Sequence, residues 1–356
     1  MRLTRRGAFL LGLALFLSWG ALALFATRVG WTGAIPFPDA LRGALAWLGL
    51  AERLPGTQQD ILELRLLRAL ASIAVGASLA LAGAYLQGLF RNGLASPSVV
   101  GVTAGSVFGA SLAMAWIGGF GIELVSTQSG LGAPMIVTSA AFLGATLTTF
   151  AVASIATVSG KLSVPTLLLA GVAMNTLIAG WIAALQSLTL RDMDVSRAVL
   201  AWTFGTLDDR SGWQVLLLWG GLLISCLTIP CVALELDLLA GGEEDAAALG
   251  VDVPRVKVCV LLAAALSTAL AVSIAGQIAF LGLVVPHVVR MLVGASHRFV
   301  LPLSVLLGGS FLLGCDLAQR ALLGEGALRP GVVLSILGGP FFLALLLKNR
   351  RALSTW

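Results

Sequence analysis

Apolar residues run along this chain in long blocks, and charged residues separate the blocks rather than alternate with them. Stretches free of Asp, Glu, Lys and Arg cover 7–27, 69–90, 92–122, 124–160, 162–190, 211–234, 258–289, 299–315 and 330–347. A hydrocarbon core about 30 Å thick is crossed by about 20 helical residues, so most blocks hold at least one span. Broken at Gly, Pro and polar clusters, they predict ten helices, at 7–27, 64–90, 98–117, 134–158, 164–188, 213–233, 254–274, 277–293, 299–321 and 330–348. The tightest interval is 258–289, which is short for two full spans. A break at Gly276 and Gln277 leaves a short eighth helix, and a count of nine would put the termini on opposite sides. The expected fold class is all-α: a polytopic membrane protein forming one domain over residues 1–356, with one sizeable loop at 235–252.

Composition agrees with the pattern. Of 356 residues, 58% are hydrophobic and 11% charged, and the mean hydropathy is +0.99, which excludes a water-soluble domain. The net charge of +5 is spread singly along the chain, so it makes no nucleic-acid footprint. The start, with Arg2, Arg5 and Arg6 before an apolar run, imitates a secretory signal, but 7–27 exceeds a signal core of about 7–15 residues. Cys226, Cys231, Cys259 and Cys315 form no CxxC and read as small apolar residues.

Ten spans with arginines at the start and Lys348, Arg350 and Arg351 at the end place both termini in the cytoplasm by the positive-inside rule. Basic residues nevertheless persist on the outer side: Arg65, Arg68, Arg191 to Arg210, Arg320 and Arg329. Trp31, Trp47, Trp116, Trp202 and Trp213 fall at outer ends like an interfacial belt, and residues 39–50, with Leu41, Leu45 and Leu48 on one face, suit a helix lying flat on the membrane. Gly76, Ala80, Ala84 and Gly88, like Gly101, Gly105 and Gly109, form four-residue stripes that let helices approach closely in lipid.

Little in the spans can do chemistry. The one acidic residue inside them is Asp316, with Arg320 four residues on, a spacing for a local ion pair. Gln87, Asn175, Gln186, Gln277, His287 and Gln319 are suited to interhelical hydrogen bonds. His287 and His297 have no acid or thiol at catalytic or metal-binding spacing, and GxSxG, HExxH and the phosphate-binding GxxxxGK[ST] are absent. Energy for uphill movement must then come from another chain. In the loop, Glu243, Glu244 and Asp245 precede an alanine run closed by Gly250, the make-up of a short helix; it reads as a solvated connector or as a docking surface.

Taken together, Arg65 with Arg68, residues 75–92, Gly101 with Gly105, Gly242 to Glu244, Leu249 to Val251, residues 276–287, Gly331 to Val333 and residues 338–342 resemble one family. It comprises the permease subunits of ABC importers for iron-siderophores, haem and vitamin B12, and the match runs in order from about residue 60 to 348. Leu67 and Gly93 stand where that family commonly has Pro, which puts in doubt the start of the second helix and the stiffness of the turn at 91–97.

The resemblance implies the fold of a type II importer, with two permease copies as a homodimer, two ATP-binding subunits that alone hold ATP and Mg, an extracytoplasmic solute-binding protein, and no cofactor in this chain. It implies that Arg65, Arg68 and Arg320 dock the binding protein, and that Asp237, Leu238, Leu239, Gly242, Glu243, Glu244, Leu249 and Gly250 contact the ATPase. By analogy, the helix at 164–188, with Asn175 and Gln186, lines the pathway. The expected function is import of an iron(III)-siderophore across the cytoplasmic membrane. A vitamin B12 or haem permease shares every motif, and an ATP-independent carrier is the rival from another class.

Overall fold

A computed structural model describes residues 3–30, 33, 35–117, 132–158, 161–189, 193–324 and 328–353. Fourteen helices are described: α1 (Arg5–Arg28), α2 (Phe37–Trp47), α3 (Gln58–Leu89), α4 (Val102–Ile117), α5 (Gly132–Ala156), α6 (Val164–Thr189), α7 (Met193–Thr203), α8 (Gly212–Leu227), α9 (Ile229–Leu239), α10 (Glu243–Ala248), α11 (Val253–Ala275), α12 (Leu281–Val293), α13 (His297–Leu323) and α14 (Pro330–Leu353). A two-residue hairpin, Thr157–Val158 with Lys161–Leu162, joins α5 to α6.

Among the described residues, α1, α3, α5, α6, α11 and α13 are each long and apolar enough to cross a membrane, and α8 with α9 passes as one span bent by 52°. Val102–Ile117, Leu281–Val293 and Pro330–Ala344 are shorter apolar helices. These coincide with the ten predicted segments. The short eighth helix is α12, and the break before it falls at Gly276, whose φ of 71° suits glycine. Helix ends gather on two faces. We call the face where α1 begins the near face and the opposite one the far face.

Helix α3 is the axis of the bundle, with 94% of its most apolar window buried. Ala69, Ala71, Ala74, Ala77, Ala80, Ala82 and Ala84 are fully buried all around it, so α13, α11, α12, α8 and α1 pack against it. Lipid offers helices no hydrophobic drive to associate, so close backbone contact must hold them. A Cβ at Gly76 would collide with the Gly308 carbonyl of α13, and one at Gly83 with the Gly282 carbonyl of α12. The second stripe works likewise: Gly105 and Gly109 of α4 rest on Gly144 and Ala140 of α5. Helix α3 runs unbroken through Leu67, where a proline would remove a helical hydrogen bond.

The bend between α8 and α9 has a local cause. Pro230 has no N–H for the Cys226 carbonyl, and the adjacent Ser225 carbonyl accepts from side chains, Tyr85 Oη at 2.9 Å and Thr228 Oγ1 at 2.8 Å. Tyr85, the one tyrosine of the sequence, reaches across from α3 to do this.

One expectation changes. Trp202 is not part of an interfacial belt; it is 5% exposed, with Val195 and Val199, in a cluster that α7 forms against α4 and α5. Trp47 and Trp116 are exposed, Trp213 is half-buried, and Trp31 lies outside the described residues. In α2, Ala40 and Gly43 face the protein, while Leu41 and Leu48 are exposed.

Replacing Gly83 by Val should cost about 1–3 kcal/mol through overpacking, read as a lower thermal midpoint in detergent. Gly20→Val, where nothing lies within 4 Å, should leave the midpoint unchanged.

Candidate functional site

Three places combine polar chemistry with position: the far face, the near face and a recess beside α6. On the far face, Arg68 of α3 donates to Asp316 of α13 (Nη2 to Oδ1, 2.7 Å) and also pairs with Asp208, in the segment after α7. Arg320 lies 2.9 Å from the other Asp316 oxygen, so the predicted i,i+4 pair is present and a second helix, α3, joins it through Arg68. Arg329, just before α14, donates to Asp208 at 2.8 Å and to Thr206 at 3.1 Å. The side chains of Asp316 and Arg320 are 0% exposed and that of Arg68 11%, whereas Asp208 and Arg329 are about one-third open. Burying an isolated charge costs several kcal/mol; here three guanidiniums share two carboxylates.

Arg65 is also interior. Its Nη1 and Nη2 donate to the carbonyls of Thr27 and Gly33, each at 3.0 Å, and Arg320 Nη1 donates to Val29 O at 3.1 Å. Both arginines thus satisfy carbonyls at and beyond the end of α1, where cations are favoured. None of the three predicted docking arginines presents an open guanidinium to solvent in this conformation. Nearby, Arg210 stands 6.0 Å above the Trp202 ring, and burial lowers its pKa to about 10, against the opposing pull of Asp208 and Asp209.

On the near face the predicted loop does contain a short helix, α10. Its outward surface carries Glu244, Asp245, Leu249 and Gly250, with Leu249 68% exposed. Leu238 and Gly242 are half-buried, and Leu239, expected among the ATPase contacts, is 4% exposed within the core. Asp237 also turns inward: its carboxylate accepts from His297 N at 2.8 Å and Ser296 Oγ at 2.8 Å, and lies 2.6 Å from His297 Nδ1. It therefore caps the first turn of α13. This corrects the reading of His297 as lacking an acidic partner, because the pairing spans 60 residues. Glu243 pairs with Lys257 of α11 at 2.7 Å, and Lys257 also donates to Leu162 O at 3.1 Å.

The recess of about 350 Å³ is lined by polar side chains of Ser98, Thr103, Asn175, Gln186, Thr203 and Gln277 together with small apolar ones, and no charged residue contributes. Both predicted pathway residues lie on it. Asn175 also binds α6 to the turn at 97–100, donating to Ser98 O at 2.8 Å. Beyond the recess, toward the far face, backbones cross closely. A Cβ at Gly331 would meet the carbonyls of Phe204 and Gln277, and Thr206 N donates to Ala275 O at 2.8 Å. Gln87 makes the interhelical bonds expected of it, donating to Gly282 O at 3.2 Å and accepting from Arg290.

Known proteins share this architecture. The family profile described as the FecCD transport family matches residues 15–348. A relative from Halobacterium salinarum named cobalamin import system permease protein BtuC is 40% identical over 316 residues, covering 88% of this chain and 80% of its own. The iron(3+)-hydroxamate import system permease protein FhuB of Bacillus subtilis is 36% identical, covering 83% and 73%. A solved inward-facing structure of a metal-chelate type ABC transporter superposes with a TM-score of 0.78 at 27% identity, over 95% of this chain and 98% of that one. The chain is a permease of the ABC importer class and belongs to the FecCD transport family.

Proposed function

We propose that two copies of this chain form the membrane pathway of an importer that carries a large metal chelate inward, with cobalamin as the first cargo candidate. The observation that carries this reading is the uncharged, hydrogen-bonding recess that joins Asn175 and Gln186 on α6. Such a surface gives a bulky ligand sliding contacts without a charge to trap it. The name of the 40% identical relative favours a corrinoid; the hydroxamate relative favours a ferric siderophore as the second reading. Dimerisation is supported by the apolar faces that α6 and α14 leave open, with Leu169, Trp181, Ile336 and Leu343 each more than half exposed.

In this reading the near face is cytoplasmic, and a separate ATPase docks on the outward surface of α10 at Glu244, Leu249 and Gly250. The binding protein docks on the far face. Its acidic groups meet Arg329 at the open rim of the charge cluster, in competition with Asp208, with Arg68, Arg65 and Arg320 behind. Docking then acts by competing for guanidiniums that hold α3, α13 and the start of α14 together. ATP-driven closure of the ATPases shifts α10, and the dimer exchanges outward-open for inward-open states by population shift.

Proteoliposomes holding the permease, its ATPase and its binding protein should accumulate labelled cyanocobalamin or ferrichrome only with ATP; accumulation without the ATPase would indicate a self-sufficient carrier. Leu249→Arg combined with Glu244→Lys should cut co-purification of the ATPase at least about tenfold while the thermal midpoint stays unchanged. Asp316→Asn should lower stability by about 3–5 kcal/mol, the cost of leaving buried charge unpaired. Arg68→Glu should do the same, so weakened docking in that variant would report on folding rather than on contact.

A further inference from the structure

Lys257 lies in the first turns of α11 with its side chain 8% exposed. Its ammonium donates to acceptors on two other elements. One is Glu243 Oε2 at 2.7 Å, on the first residue of α10; the other is the Leu162 carbonyl at 3.1 Å, at the end of the hairpin that leads into α6. These acceptors lie 14 and 95 residues away in sequence, so one buried cation joins three elements on the near face. The hairpin is fastened to both flanking helices: Ser163 N donates to Ala156 O at 2.9 Å, and Leu167 N to Ser163 O at 2.9 Å.

We propose that Lys257 is the positioning residue that transmits a displacement of α10 to the start of α6. A lysine ammonium is a compact charge on a flexible stem with three donors, so it can follow a moving carboxylate while keeping a second acceptor. At this depth it cannot be left unpaired without a large penalty. When Glu243 moves with α10, the ammonium moves too, and the Leu162 carbonyl is pulled or released. That carbonyl lies two residues before the start of α6, and α6 carries the recess. Helix α11 supplies the fixed mount, since 67% of its most apolar window is buried. The inference rests on the reading of α10 as the ATPase contact.

Hydrogen–deuterium exchange in lipid nanodiscs tests it in two settings. In the permease alone, Lys257→Gln should raise exchange across 157–168 about tenfold and leave 300–320 unchanged; no rise would overturn the link. In the complex with its ATPases, ATP, magnesium and vanadate should change exchange at both 243–250 and 161–175 in the parent protein. Lys257→Gln should keep the first response and lose the second, and Lys257→Arg should restore it. A merely structural lysine would not separate the two responses, and an unchanged response at 161–175 in Lys257→Gln would overturn the proposal. If that variant fails to insert, Glu243→Gln, at a side chain 41% exposed, should show the same loss at 161–175, and a retained response would overturn it. Failure of the ATPases to co-purify with the parent protein would count against the functional reading instead, and the partner-free setting would still decide the link.

Discussion

Helices in a bilayer gain nothing by hiding apolar surface from one another, because lipid tails already cover it. The bundle therefore depends on how closely other backbones can approach α3. Gly76 and Gly83 bring the carbonyls of Gly308 and Gly282 to positions that a methyl group would occupy, and the alanines around the rest of α3 leave no side on which a neighbour is held away. Dispersion contacts, individually weak, add up along such a seam. The outer helices lack this intimacy: α6 has 17% of its window buried and α1 has 11%. The protein thus has a stiff interior of α3, α11 and α13, and a periphery with apolar surface left over for lipid or for a second copy.

Scarce charges are used at the two ends of that interior. At the far end, Asp316 draws Arg68 and Arg320 inward, and Asp208 connects them to the entry of α14. At the near end, Asp237 holds α9 to α13, and Lys257 holds α10 and the hairpin to α11. Between them lies a recess with no charge at all. Charged groups thus fasten helices to one another at the two faces, and the recess is lined without them.

Much of this was legible in the sequence because the bilayer imposes simple rules. Charge-free stretches, broken at Gly, Pro and polar clusters, located the seven crossing segments and the three shorter apolar helices, the glycine stripes marked the close contacts, and Asp316 with Arg320 was readable from a four-residue spacing. The acidic start and Gly250 marked α10. What escaped notice was tertiary. Nothing local connects Asp237 with His297, or Asp208 with Arg68 and Arg329, since the partners come from separate segments. The burial of Arg65 and Arg320 was hidden for a similar reason: the carbonyls they satisfy belong to the end of α1 and the turn after it, far along the chain. Helix α7 was missed although a signal existed. Val195, Val199 and Trp202 recur at i, i+4 and i+7 and are all buried, but they sit between arginines that made the segment look like a loop.

The bend at Pro230 carries a mechanical implication. A proline kink left to itself is a soft joint, because the freed carbonyl can turn to any donor nearby. Here the carbonyl one residue before the freed one, that of Ser225, is held by Tyr85, whose ring is fully buried. Straightening or deepening the kink would break a hydrogen bond inside the dry interior, where no water replaces it. Helix α9 therefore acts as a lever with its fulcrum clamped to the axis of the molecule. A displacement at its near end, where Asp237 grips α13, would reach the core through that clamp instead of being lost in a flexing elbow.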